Sequence, residues 1–217
     1  MVPSSRPVKT RSYDSSGRRA SARARREGVL GAARDLFLRD GFAGTTVAAI
    51  ADRAGVSPET VYKTFGGKTG LIEALYRQAV LGTGDEPAFE RSERLRGLAD
   101  PREILFGWSR LSMEVGPRVT AIQLLVRDAA LVDAGARQVL AELDELRMER
   151  MRDNARYLHD AGHLRAGVSV GQATDLMWAV TAPEMVELLV HRRGWSLEQF
   201  ADFVYETLSN ALLTPAR

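Results

Sequence analysis

The chain contains no cysteine. That removes disulfides and cysteine metal centres from consideration and fits a reducing compartment, so a cytoplasmic setting is expected. Lysine is scarce: only three of the 30 basic residues are lysine, at positions 9, 63 and 68. No apolar run approaches the roughly 20 residues that span a bilayer. The basic N-terminus lacks the apolar core of a secretory signal, so no membrane partner is expected. No stretch alternates apolar and polar residues as a half-buried strand does, and no internal repeat is present. Nor does net charge point to a partner, at +2 overall.

What is present is helical periodicity and an uneven distribution of charge. The 217 residues, 45% of them hydrophobic, suffice for one large domain or two small ones with a full core. Up to residue 81 the net charge is +7, and beyond it −5. A basic N-terminal module on an acidic body is the asymmetry of a nucleic-acid binder. Within that module, residues 45–68 read TTVAAIADRAGVSPETVYKTFGGK. Val47, Ile50, Ala51 and Ala54 fall on one helical face. Thr45 or Thr46 can cap that helix through its hydroxyl. Gly55 supplies the turn, Ser57 caps a second helix, and Pro58 suits its first turn, where an N–H would have no partner. This is a helix-turn-helix pattern, whose second helix lies in the DNA major groove.

The flanks sharpen it. Residues 29–71 read VLGAARDLFLRDGFAGTTVAAIADRAGVSPETVYKTFGGKTGL. This stretch resembles the N-terminal domain of the tetracycline-repressor (TetR) family. The match is carried without gaps by Ala32-Ala33, Leu36-Phe37, Gly41-Phe42, Thr45-Thr46-Val47, Ile50-Ala51, Ala54-Gly55-Val56-Ser57, Thr60-Val61-Tyr62, Phe65, Lys68 and Leu71. Gly28, Gly31 and Gly70 depart from good helix formers, each at about 1 kcal/mol against Ala. The resemblance implies an all-α chain with three parts. Residues 1–20 form a disordered basic tail, 21–67 the DNA-binding domain with its helix-turn-helix, and 68–217 a helical ligand-binding and dimerisation domain. It further implies a sequence-specific transcriptional regulator, chiefly a repressor released from its operator by a small molecule. The other reading is a regulator controlled by a protein partner or by its own abundance. An enzymatic role finds no support: no nucleophile sits beside a base, and no lone carboxylate faces an apolar stretch.

The predicted helices cover 21–40, 46–53, 57–63, 68–81, 88–98, 101–115, 117–131, 135–161, 169–181, 183–193 and 196–213, with breaks at Gly116-Pro117 and Gly162 among others. Gly41 ends the first helix, and Ser196 with Gln199 makes a capping box. The segments ATDLMWAVTAPEMVELLV and LEQFADFVYETLSNALL are apolar beyond one stripe, so a second surface is needed to cover them. The resemblance makes that surface a twin subunit, and a homodimer is expected; the other reading is that these helices simply form the monomer's own core. Arg18, Arg19, Arg23, Arg25 and Arg26 form either a basic arm on the phosphate backbone or minor groove, or only a solubilising tail.

The candidate partner is a double-stranded operator. Its candidate contacts are Thr45, Thr46, Ser57, Pro58, Glu59, Thr60, Tyr62, Lys63 and Lys68. Lys63 can donate to guanine or phosphate, and the Tyr62 hydroxyl suits a phosphate oxygen. Glu59 can accept from cytosine or simply favour the helix N-terminus. Lys68, opening the next helix, is a phosphate candidate. Candidate small-molecule contacts are Trp108, Gln123, Arg127, Met151, Tyr157 and Trp178, residue types that suit adaptable apolar pockets but also build ordinary cores. The acidic and arginine-rich stretch ELDELRMER reads as a solvated helix face. Gly67-Lys68-Thr69 imitates the end of a P-loop, but Tyr62 stands where its first Gly belongs. His159 and His163 are spaced as helix metal ligands, yet Gly162 interrupts them, so neither a metal nor a cofactor is expected.

Overall fold

The computed structural model describes residues 15–81 and 86–215. Among these it is helical throughout, without a named strand: α1 (Ser15–Gly44), α2 (Val47–Ala54), α3 (Pro58–Phe65), α4 (Lys68–Leu81), α5 (Ala88–Leu95), α6 (Pro101–Ala130), α7 (Ala134–Asp160), α8 (Val170–Val180), α9 (Pro183–Val186, continuing as a π-helical turn, Glu187–Arg192) and α10 (Leu197–Leu212). None of these helices is long and apolar enough to cross a membrane.

Three boundaries differ from expectation, each for a physical reason. Residues 1–14 of the expected tail lie outside the described residues, but 15–20 already belong to α1. The Ala- and Arg-rich run is a good helix former and adds an Arg23–Glu27 pair one turn apart at 2.9 Å. Gly41, at φ 74° and ψ 168°, then breaks α1 where the chain turns toward α2. Second, α6 runs unbroken through Pro117. An interior proline removes one backbone bond and crowds the carbonyl four residues back, at about 3 kcal/mol. Both halves of α6 are nevertheless held by packing: Ile104, Leu105 and Trp108 on one side of Pro117, Ile122 and Val126 on the other. Third, the expected helix 183–193 widens into π geometry, seen in the Arg193 N–H bond to Leu188 O at 3.0 Å. The expected capping box at Ser196 and Gln199 is present, and Ser169 with Gln172 makes a second.

Two apolar cores result. The first joins Leu36 and Phe37 of α1, Ile50 of α2, Val61 of α3 and Leu71, Ile72 and Leu75 of α4 to Ile122 and Val126 of α6 and Val139 and Leu143 of α7. It therefore does not stop at residue 67. The second joins Ile104, Leu105 and Trp108 of α6 to Leu158 of α7, Met177 of α8, and Phe200, Val204, Leu208 and Leu212 of α10. Much of the apolar breadth of α8 and α10 is thus buried inside the chain itself. What these helices and their neighbours leave exposed includes Leu188 and Phe106, at 46% and 45%.

The N-terminal helices are locked at one backbone contact. A Cβ on Gly70 would lie 1.7 Å from the carbonyl oxygen of Phe65. Gly70 is therefore required by close approach. Gly28 and Gly31 have open space around the same position. One substitution should thus act with opposite signs at two sites. Gly28→Ala is expected to raise thermal stability by up to about 1 kcal/mol through helix propensity. Gly70→Ala is expected to lower it by about 1–3 kcal/mol or more, because backbone must move. Thermal denaturation of both variants checks the pair.

Candidate functional site

The N-terminal site is built from two capped helices. Thr46 is the cap of α2: its Oγ1 accepts the Ala49 N–H at 3.1 Å. Gly55, at φ 66°, closes that helix in the left-handed region. Ser57 caps α3, its Oγ accepting the Thr60 N–H at 3.3 Å and lying 3.2 Å from the Thr60 hydroxyl. Val47, Ile50 and Ala51 of α2 and Val61 and Phe65 of α3 are buried, so α3 can turn only one face outward. That face carries Glu59, Tyr62, Lys63 and Thr64, all exposed. Tyr62 is 56% exposed, its ring beside Gly67. The Glu59 carboxyl is held below its ordinary range by the Ser57 hydroxyl and by backbone N–H at the helix start. A carboxylate so placed already has a local electrostatic role.

Several expected contact residues are placed differently. Thr45 is only 2% exposed, and its hydroxyl donates to Gly41 O at 2.8 Å. It braces the α1–α2 turn and faces no surface, which removes it as a phosphate donor. Pro58 is half-buried and carries no donor. Lys68 is pinned: its Nζ donates to Phe42 O at 2.7 Å and lies 4.3 Å over the Phe42 ring. An ammonium has three donors, so this anchoring leaves others to offer outward. Thr64 was missed, although its i+4 spacing from Thr60 puts it on the same side. Of the arginines read as a basic arm, Arg19, Arg23, Arg25 and Arg26 are exposed, and Arg26 lies 4.5 Å over the Phe65 ring at the end of α3. The side chain of Arg18 lies outside the described residues. Arg53 ties α2 to α1 through Asp35 at 3.1 Å, which with Arg34 holds the Asp35 carboxyl below its ordinary range.

A cavity lies between the two cores. Its larger chamber, about 590 Å³, is walled by α4, α6 and α7 and closed by Phe89, Pro183 and Phe200. It shares Val80, Ser112, Val115, Met151 and Thr181 with a deeper chamber of about 150 Å³ that reaches Trp108 and Met177. Among the expected ligand residues, Gln123, Met151 and Trp108 line these chambers. Arg127, Tyr157 and Trp178 do not. Arg127 is tied to Asp128 at 3.1 Å and Glu187 at 3.0 Å. The Tyr157 hydroxyl donates to Arg96 O, and its ring stands edge-on to Trp108 at 6.5 Å. Trp178 lies under Arg147, 4.4 Å from ring to guanidinium. Arg147 and Arg150 belong to the stretch read as a solvated face, yet both line the cavity. Burial holds the Arg147 guanidinium below its ordinary value and raises the Tyr76 hydroxyl. The two spaced histidines part company: His159 meets Asp160 at 3.0 Å, and His163 faces the Tyr157 ring. Among the described residues, no three His, Cys, Asp or Glu side chains gather as a metal site.

Residues 29–75 match the family model for bacterial regulatory proteins of the tetR family. This N-terminal domain is therefore of the TetR type. The chain is 44% identical over 63 residues to the HTH-type transcriptional regulator BetI 1 of Chromohalobacter salexigens, a match over 29% of this chain and 30% of that one. The chain thus spans under a third of the length of the curated relatives it matches. Most of the chain is similar in fold to solved structures. The SmeT–triclosan complex superposes with a TM-score of 0.70 at 20% identity, over 89% of this chain and 93% of that one. NalD, described as the secondary repressor of the MexAB-OprM multidrug efflux pump in Pseudomonas aeruginosa, gives 0.69 at 20% identity, over 89% and 100%. The TetR-type helix-turn-helix therefore coincides with the capped α2–α3 pair.

The brace at Thr45 can be tested directly. Thr45→Val keeps the shape but removes the donor to the Gly41 carbonyl. It is expected to lower stability by about 1 kcal/mol, the net worth of a hydrogen bond to a partly buried acceptor. An unchanged melting temperature would return Thr45 to the surface.

Proposed function

We propose that this chain is a TetR-family transcriptional repressor that acts as a homodimer on a roughly palindromic operator and is released by a small molecule held between its two cores. One observation carries the reading. The helices that wall the cavity, α4 and α6, also supply side chains to the core beneath the helix-turn-helix. A shift of α4 is passed on at Gly70, which touches the end of α3 with no side chain between. In a dimer, the two recognition helices would need a separation of about 34–36 Å to enter successive major grooves. A ligand acts by binding more tightly to the form in which that spacing is wrong; equal affinity for both forms shifts nothing. NalD, a repressor, and SmeT, solved in complex with triclosan, share the fold and support this class of behaviour.

On the DNA side, Tyr62, Lys63 and Thr64 are exposed donors on α3, and Ser57, Thr60 and Thr46 stand beside them with hydroxyls. Phosphate contacts would set affinity, and base contacts sequence choice. For the subunit contact we favour the surface around Leu188 and the edge-on Phe106–Tyr205 pair, 5.5 Å apart, which the chain leaves partly uncovered.

Two outcomes are expected. Selection of duplexes from a random pool at two salt concentrations should enrich an inverted repeat; salt-sensitive binding without enrichment would overturn the operator reading. On the selected site, Tyr62→Phe and Lys68→Ala should both weaken binding, and Lys68→Ala should flatten the logarithmic salt dependence by up to about one unit. Parental affinity and slope in both variants would take them out of the interface.

A further inference from the structure

The charged lining of the larger chamber has one sign. Arg77, Arg147 and Arg150 face it, and among the described residues no carboxylate lines it. Arg150 is already neutralised by Glu93 at 2.6 Å. Arg147 is not. Its Nη1 donates to Trp178 O at 2.5 Å and its guanidinium lies over the Trp178 ring, but its buried Nε has no acceptor. Asp144 and Glu184 act on it only at longer range; among the described residues, no carboxylate forms an ion pair with it within 4.0 Å. Gln123 lies on the same chamber from α6 and is 2% exposed, with neither end of its amide partnered. Buried polar groups are nearly always satisfied, and an unmet one is costly. A half-buried guanidinium with no carboxylate in contact and a buried amide with no bond among the described residues therefore share a cavity whose other walls are chiefly apolar.

We propose that the cavity takes an apolar monoanion, its carboxylate accepting from Arg147 and Gln123 and its aliphatic or aromatic body lying along the apolar wall. The proposal rests on the reading of this cavity as the inducer site and names the chemistry of the inducer. Such a head group supplies acceptors for both orphan donors. A cationic head would meet three arginines, and a neutral one would leave the charge on Arg147 uncompensated.

Decanoate, decanol and decyltrimethylammonium share one chain and differ in head charge. They are titrated calorimetrically, below micelle-forming concentrations, into the full-length protein. Decanoate is expected to bind roughly tenfold tighter than decanol, the worth of a charge-assisted hydrogen bond, and the cation weakest. Arg147→Gln should bring decanoate down to decanol. Arg147 also holds the Trp178 carbonyl, so Arg147→Lys, which keeps the charge, serves as the second variant and should retain part of the preference. Gln123→Leu should raise the melting temperature of the free protein and shrink the shift that decanoate produces. Equal affinity for the three heads, preference for the cation, no binding of decanoate, or a preference that survives Arg147→Gln would each overturn the proposal. Operator affinity is measured separately in the presence of decanoate. Binding through Arg147 without loss of DNA affinity would sustain the anion site and overturn its role as an inducer site.

Discussion

The carbonyl of Phe65 ends α3, and the backbone of Gly70 lies in the first turn of α4, with no room between them for a single methyl group. Contacts between side chains can be repacked by changing rotamers; contacts between backbones cannot. The intervening turn uses Gly66 and Gly67 at φ 77° and 119°, conformations that a side chain would strain. Hence α3 and the start of α4 are held directly against each other. Lys68 adds a second tie from the same turn, reaching back to the carbonyl and ring of Phe42. The recognition helix is thus placed by α4, and α4 is placed by whatever packs along its length.

What packs there is the first core, and it reaches beyond the N-terminal domain. Ile122 and Val126 bring α6 under the helix-turn-helix, while Ile104, Leu105 and Trp108 of the same helix sit in the second core. Between these anchors, residues 111–119 are all half-buried, and Pro117 removes a backbone bond there. The helix is held at both ends and least held where it borders the cavity. Regions with few buried contacts and missing backbone bonds are where a fold yields first. A helix continuous through a proline therefore joins two cores without making them one rigid block.

The helix-turn-helix was legible because its determinants are local. Caps at Thr46 and Ser57, a turn glycine at 55 and a four-residue apolar spacing are all written within a few positions of one another. Residues whose roles depend on distant partners were not. Thr45 and Thr46 are chemically alike neighbours, and only the kink at Gly41, which offers a carbonyl, sends one inward and leaves the other to cap. Gly70 reads as a weak helix residue until Phe65 is seen beside it. Arg147 stands in a run whose charge pattern describes a solvated face, and it leaves that face because α8 places Trp178 beneath it. Likewise, the apolar breadth of α8 and α10 called for a covering surface, and much of that surface is other parts of the same chain.

The two ends of the molecule keep their unpaired donors under opposite conditions. On α3, Tyr62 and Lys63 stand in water, and their donors cost nothing until a partner displaces that water. In the cavity, the Gln123 amide and the Arg147 Nε are buried without protein partners, so their cost is borne by the free fold. A stability cost retained at one place is the usual mark of a site shaped for something other than stability. An occupant that satisfies those donors gains its own contacts and also relieves that cost, whereas an occupant of the same size without an acceptor gains only the contacts. Head-group chemistry should therefore discriminate among ligands more sharply than their apolar bodies do. Because α6 carries Gln123 between Ile122 and Val126, the unpartnered amide on the cavity is embedded in the core beneath the helix-turn-helix.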